Sequence, residues 1–196
     1  MRRFSASALL LLAMCATIAA QGVPEKGSRE LGVWAGGGPS VAGGTSGVGV
    51  WNVGLRYGWV LTDAHGPGPL RGRLEYAVDA IPVYVVMESG ASYGGGFDPF
   101  VLKWNFDSRR RVVPFVELAG GTLFSSGNVP RRSPTNVNFT SQAAAGLQII
   151  GHYANAVLAV RYAHISNAGL ASPNPGINTV QFQLGVNGFM APHRRH

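Results

Sequence analysis

The sequence predicts an all-β fold, an eight-stranded antiparallel transmembrane β-barrel of the outer-membrane type. Three observations predict it. Beyond the N-terminus, apolar and polar residues alternate with period two, as in half-buried strands, and helical periodicity is nearly absent. Only 13% of the 196 residues are charged, against roughly 25–35% on the surface of a small soluble domain. The chain also opens on an export signal.

That signal is "MRRFSASALLLLAMCATIAAQG". Arg2 and Arg3 form a basic start, Leu9 to Ile18 a short apolar run, and Ala19 and Ala20 a small-residue exit. The run is too short for a membrane helix, so residues 1–20 are assigned as a signal peptide and 21–196 as one barrel domain. Met14 is too large for a lipoprotein signal ending at Cys15. Cys15 is the only cysteine, so no disulfide framework is expected after export.

Strands follow in order. One is placed near Leu31 to Gly37. From Val50 to Leu61, Trp51, Val53, Leu55, Tyr57, Trp59 and Leu61 share a face opposite Asn52 and Arg56. From Leu70 to Ala80, Leu74, Tyr76 and Val78 oppose Arg71, Arg73, Glu75 and Asp79, charges that can pair inside a narrow lumen. From Phe100 to Phe106, Leu102 and Trp104 oppose Lys103 and Asn105. Less regular strands are placed near Val112 to Phe124, Val137 to Ile150 and Tyr153 to Ser166. The last, Asn178 to Val186, sets Val180, Phe182 and Leu184 against Thr179, Gln181 and Gln183.

Alternation also fits a soluble barrel with its apolar face inside. Three features favour the membrane form. The last strand's polar face carries no charge, Trp and Tyr stand near strand ends, and the longer strands exceed the ~9–11 residues needed to cross a bilayer. Connections at 38–47, 88–99, 125–136 and 167–176 are assigned to the outer side, and shorter ones at 63–69, 107–111 and around Gly151 to the inner side. The C-terminal "MAPHRRH" lacks a closing aromatic residue, a place that Phe189 can take.

The net charge of +7 sits in clusters, Arg109 to Arg111, Arg131 with Arg132, and Arg194 with Arg195. Export argues against nucleic acid as the partner, and anionic lipid headgroups fit better. Arg131 and Arg132, in an outer loop, suit phosphate geometry. The glycines of "GVGVWNVG" precede no helix, which excludes a nucleotide loop. His193 and His196 lack further ligands for a metal site. His65 and His152 fall at turns.

The stretch "RYAHISNAGLASPNPGIN", Arg161 to Asn178, carries the chemistry. His164 and Ser166 share one strand face, in line with Leu158, Val160 and Tyr162, which is the lipid face. Asn178 begins the lipid face of the next strand. By itself such a pair is more often a polar strand end than a nucleophile beside its base. At the outer rim of a membrane barrel the three side chains meet the depth of a lipid ester rather than water.

"RYAHISNAG" followed by "PNPGIN" resembles the active-site segment of the lipid A 3-O-deacylases, the PagL family. The resemblance implies an eight-stranded outer-membrane barrel that hydrolyses the 3-position ester of lipid A, within lipopolysaccharide, without metal or cofactor. It makes Ser166 the nucleophile and His164 its base. Asn167, Ala168, Gly169 and Asn174 become substrate-binding positions, with the backbone N–H groups of Ala168 and Gly169 and the Asn174 side chain near the oxyanion. The family places a glutamate where this chain has Asn178. No Asp or Glu follows Glu117, and Glu117 lies on a distant strand. Three outcomes stay open: a working Ser-His-Asn hydrolase, a slow one, or a barrel that binds lipid A without cleaving it. Oligomeric state is not legible.

Overall fold

The computed structural model describes residues 22–108 and 110–191. The segment read above as a signal peptide, Arg109 and the basic tail lie outside the described residues. Eight strands run β1 (Arg29–Pro39), β2 (Gly49–Val60), β3 (Gly72–Met87), β4 (Ala91–Phe106), β5 (Val112–Ser125), β6 (Val137–Ile149), β7 (Asn155–Ser166) and β8 (Ile177–Met190). A single 3-10 turn, Gly68–Leu70, interrupts the β2–β3 connection. Each strand pairs antiparallel with the next, and β1 pairs with β8 to close the barrel. Closure leaves no edge strand with unpaired backbone groups, the condition for crossing lipid.

The two faces of the wall differ as the period-two pattern requires. Outward residues are large and apolar, among them Phe100, Leu102, Leu118, Phe182 and Leu184, each about half exposed or more. Inward residues are polar and buried. Arg56 lies between Asp79 (2.8 Å) and Glu117, and Arg161 approaches Glu117 at 3.6 Å. The Arg161 guanidinium also sits 4.4 Å from the centre of the Trp34 ring. Lys103 lies 3.1 Å from Glu30 and 3.5 Å from Glu75. A polar, plugged interior beneath an apolar outer band is the arrangement of an outer-membrane barrel and the reverse of a soluble one.

Toward the outer end, an apolar plug replaces the charges. Val48, Val50, Tyr84, Val129, Ile165 and Ile177 are all buried there. Ile165 and Ile177 are each 0% exposed. Because successive side chains point to opposite sides, anchoring these two inward drives His164, Ser166 and Asn178 outward.

Two expectations are corrected. The outer connection placed at 88–99 is only residues 88–90, because β3 and β4 extend as a long hairpin through the Gly94–Gly96 run. Gly and Pro read as loop punctuation. Here Pro82 and Pro99 fall where the register shifts, and irregularities in the ladder absorb them. Arg71 and Arg73 do not join the lumen network. Both reach Asp107 at the inner rim, at 3.4 and 2.9 Å. Alternation assigns a face but not a height.

Candidate active site

The β7–β8 ladder sets the site. His164 is directly opposite Asn178 in the register, and Ile165 opposite Ile177. Opposed side chains on one face stand about 4.5–5.5 Å apart at Cβ, close enough for an imidazole to meet an amide. His164 Nδ1 and Asn178 Oδ1 are 2.7 Å apart. Ser166 follows on the same face, about 7 Å further along the strand at ~3.4 Å per residue. His164 and Ser166 are half-buried, and Asn178 is 7% exposed. Directly below them the wall is lipid-facing, with Tyr162, Val160 and Phe182 exposed.

Asn178 is covered although it lies on the outer face. The β1–β2 connection folds over it. Val41 N–H donates to the Asn178 carbonyl at 2.7 Å, and Thr45 N–H to the Gly176 carbonyl at 2.7 Å. Asn178 Nδ2 donates to the Ala42 carbonyl at 3.3 Å. Gly176 lies against the imidazole, where a Cβ would come within 2.7 Å of His164 Cε1. Only glycine fits there without moving the ring.

The β7–β8 connection is ordered by two asparagines. Asn167, 1% exposed, donates from Nδ2 to the carbonyls of Ala171 and Pro173 at 3.0 and 3.3 Å. Its Oδ1 accepts the Gly169 N–H at 2.9 Å. Asn174 Oδ1 accepts the Asn167 N–H at 3.0 Å, which leaves its Nδ2 to donate elsewhere. Ala168 adopts φ of +53°, a left-handed conformation uncommon for a residue with a Cβ. Such conformations gather at functional sites.

Sequence reasoning placed Ser166, His164 and Asn178 on one outer patch; the structure joins His164 to Asn178, and Ser166 follows on the same face of β7. Gly169 departs from expectation. Its N–H is bound within an Asx-type turn by Asn167 and is not a free donor. Ala168 N–H has no hydrogen-bond acceptor among the described residues, so it and Asn174 Nδ2 are the available donors. Asn167 is the scaffold of the loop rather than a group facing outward. The two arginines are not brought to the pair. Arg131 N–H donates to Glu88 at 2.8 Å, and its guanidinium packs over Gly90, on the β3–β4 turn across the barrel from β7 and β8. Arg132 is exposed in the same loop. Glu117 faces Arg56 in the lumen and is no substitute for a carboxylate at the site. Sequence reasoning missed the cover over Asn178. The paired glycines Gly43 and Gly44 were its one signal.

A family model described as lipid A 3-O-deacylase (PagL) matches residues 51–187. The chain belongs to the lipid A 3-O-deacylase (PagL) family. The match spans the strands that carry Ser166, His164 and Asn178. Among solved structures, the outer membrane enzyme PagL superposes with a TM-score of 0.62 at 24% identity, over 79% of this chain and 97% of that one. The outer membrane protein OprG from Pseudomonas aeruginosa superposes with a TM-score of 0.52 at 12% identity, over 87% of this chain and 99% of that one. At these identities the likeness speaks for the fold alone, a closed antiparallel barrel shared with PagL and OprG. No curated protein matches the chain.

Proposed function

We propose that this PagL-family barrel is an outer-membrane esterase that removes the acyl chain ester-linked at the 3-position of lipid A. The observation that carries the reading is the 2.7 Å contact of His164 Nδ1 with Asn178 Oδ1, beside Ser166 on the lipid-facing wall. An amide oxygen can only accept, so Nδ1 carries the proton and Nε2 keeps its lone pair. That is the form a general base needs.

The chemistry follows. His164 Nε2 takes the Ser166 hydroxyl proton as Oγ attacks the ester carbonyl carbon. Ala168 N–H and the Asn174 amide receive the oxyanion, each such donor being worth roughly 2.7–4 kcal/mol. Collapse breaks the ester C–O bond, and the imidazolium returns its proton to the departing sugar hydroxyl. Water then attacks the acyl-serine with His164 again as base, releasing the fatty acid and restoring Ser166. No hydrogen bond joins Ser166 Oγ to the imidazole among the described residues. Contacts between nucleophile and base are commonly loose before substrate binds. The lipid A acyl chains lie against the exposed Tyr162, Val160 and Phe182.

Mass spectrometry of lipid A tests this. Membranes or micelles holding the wild type are expected to lose one ester-linked acyl chain, assigned to the 3-position by fragmentation, and those holding Ser166→Ala to lose none. Lipid A unchanged by folded wild type would overturn the esterase reading.

A further inference from the structure

An amide cannot orient a histidine as a carboxylate does. Both carboxylate oxygens accept, so either one fixes a proton on Nδ1. An amide has a donor end. Flipped by half a turn, Asn178 would offer Nδ2–H to Nδ1, and the ring proton would move to Nε2, the wrong place for a base. Something must hold the amide in one orientation.

The β1–β2 connection supplies that hold. Asn178 Nδ2 meets the Ala42 carbonyl at 3.3 Å. A carbonyl oxygen can only accept, so Nδ2 must face Ala42 and Oδ1 must face His164. Two backbone hydrogen bonds of 2.7 Å, from Val41 N–H to Asn178 and from Thr45 N–H to Gly176, fix the loop to the start of β8. Ser40 forms a bridge with Thr179 in the same place. Gly43 turns the chain at φ of +92°, and a Cβ on it would lie 3.0 Å from Asn178 Nδ2. The loop lies outside the stretch matched by the family model, which begins at residue 51.

We infer that residues 40–45 form a positioning segment, whose Ala42 carbonyl sets the Asn178 amide and through it the tautomer of His164. The role in turnover rests on Ser166 and His164 being nucleophile and base. The tautomer itself does not depend on activity. The segment achieves by geometry part of what a carboxylate at 178 would achieve by charge.

The test reads the His164 ring nitrogens directly, by nitrogen-15 NMR of the full barrel in micelles at a pH where the ring is neutral. His164→Gln identifies the signals by their loss. The wild type is expected to show one form, protonated on Nδ1. Gly43→Val strains the backbone at a positive φ and crowds Asn178 Nδ2, so an Nε2-protonated share is expected to appear. In an Asn178→Asp background the same Gly43→Val change is expected to leave the Nδ1-protonated form intact. Gly43→Ala gives the same contrast with less strain where the valine chain does not fold. Three results overturn the inference: a wild type protonated on Nε2, an equal shift in both backgrounds, or no shift in either. A Gly43→Val shift confined to the Asn178 background, in a wild type that leaves lipid A uncut, supports the loop's role in setting the tautomer and refutes the catalytic reading.

Discussion

Replacing Asn178 by aspartate, its isostere, separates two effects that are usually measured together. The amide accepts from His164 Nδ1 at 2.7 Å and donates to Ala42 at 3.3 Å. Aspartate keeps the first contact and charges it. A hydrogen bond to an ionised acceptor contributes about 1.5–3 kcal/mol against about 0.5–1.5 for a neutral one. The imidazolium formed as Ser166 attacks therefore gains about 1–1.5 kcal/mol. At 1.36 kcal/mol per decade, that is roughly a tenfold rise in kcat/KM. The comparable Asp-to-Asn change in a serine protease costs about 10⁴, by holding the wrong tautomer. Here the tautomer is already correct, so that factor has no counterpart. The second contact reverses. A carboxylate oxygen now faces the Ala42 carbonyl, and the unmet acceptor costs about 1–3 kcal/mol of stability. The assay is the initial rate of fatty-acid release from lipid A in micelles across pH, with thermal unfolding beside it. Asn178→Asp is expected to be about tenfold faster and less stable. A gain of a thousandfold or more would show that the amide held the wrong tautomer, and an unchanged rate that the imidazolium gains nothing from charge. Either result refutes the reasoning.

Three further outcomes follow from distances already given. Gly176→Ala puts a Cβ 2.7 Å from His164 Cε1. Turnover should fall about 10²-fold, the cost of a misplacement near 1 Å, while the barrel still runs as folded protein in heat-modifiability gels. Arg56→Met takes from Asp79 its cation in the lumen and leaves Glu117 only the more distant Arg161, at 3.6 Å. Unfolding in micelles should show a loss of about 3–5 kcal/mol, with lipid A cleavage by the remaining folded protein unchanged. Asn174→Leu removes both the proposed oxyanion donor and the acceptor of the Asn167 N–H. The expected result is a lower kcat with KM little altered, read from saturation kinetics on lipid A in mixed micelles.

The barrel was legible because lipid and lumen impose the same period of two on every strand, with opposite chemistry on the two faces. Phe182 against Gln181 and Gln183 shows it in three residues. Height and extent were less legible. Arg73 shares the parity of Glu75, yet it sits at the rim with Asp107, since nothing local fixes how far along the lumen a residue falls. Gly94 to Gly96 look like a turn and pair as a strand, because the long β3–β4 hairpin is decided by neighbouring strands rather than by local preference. At the site, parity alone put His164 and Ser166 outward. That His164 meets Asn178 needed the β7–β8 register. The Ala42 carbonyl left no trace in the sequence, since every residue carries one and only folding decides which of them meets Asn178. The Asn167 turn that takes up the Gly169 N–H was hidden for the same reason.

The central claim is that Ser166, on the outer wall, is a nucleophile activated by His164. The most direct measurement is covalent capture in micelles with an activated phosphonate ester bearing a long alkyl chain, followed by peptide mass spectrometry. A single adduct on Ser166 is predicted, strongly slowed in His164→Gln and absent in Ser166→Ala. An adduct elsewhere on the barrel, or equal labelling of the Ser166→Ala protein, would contradict the account.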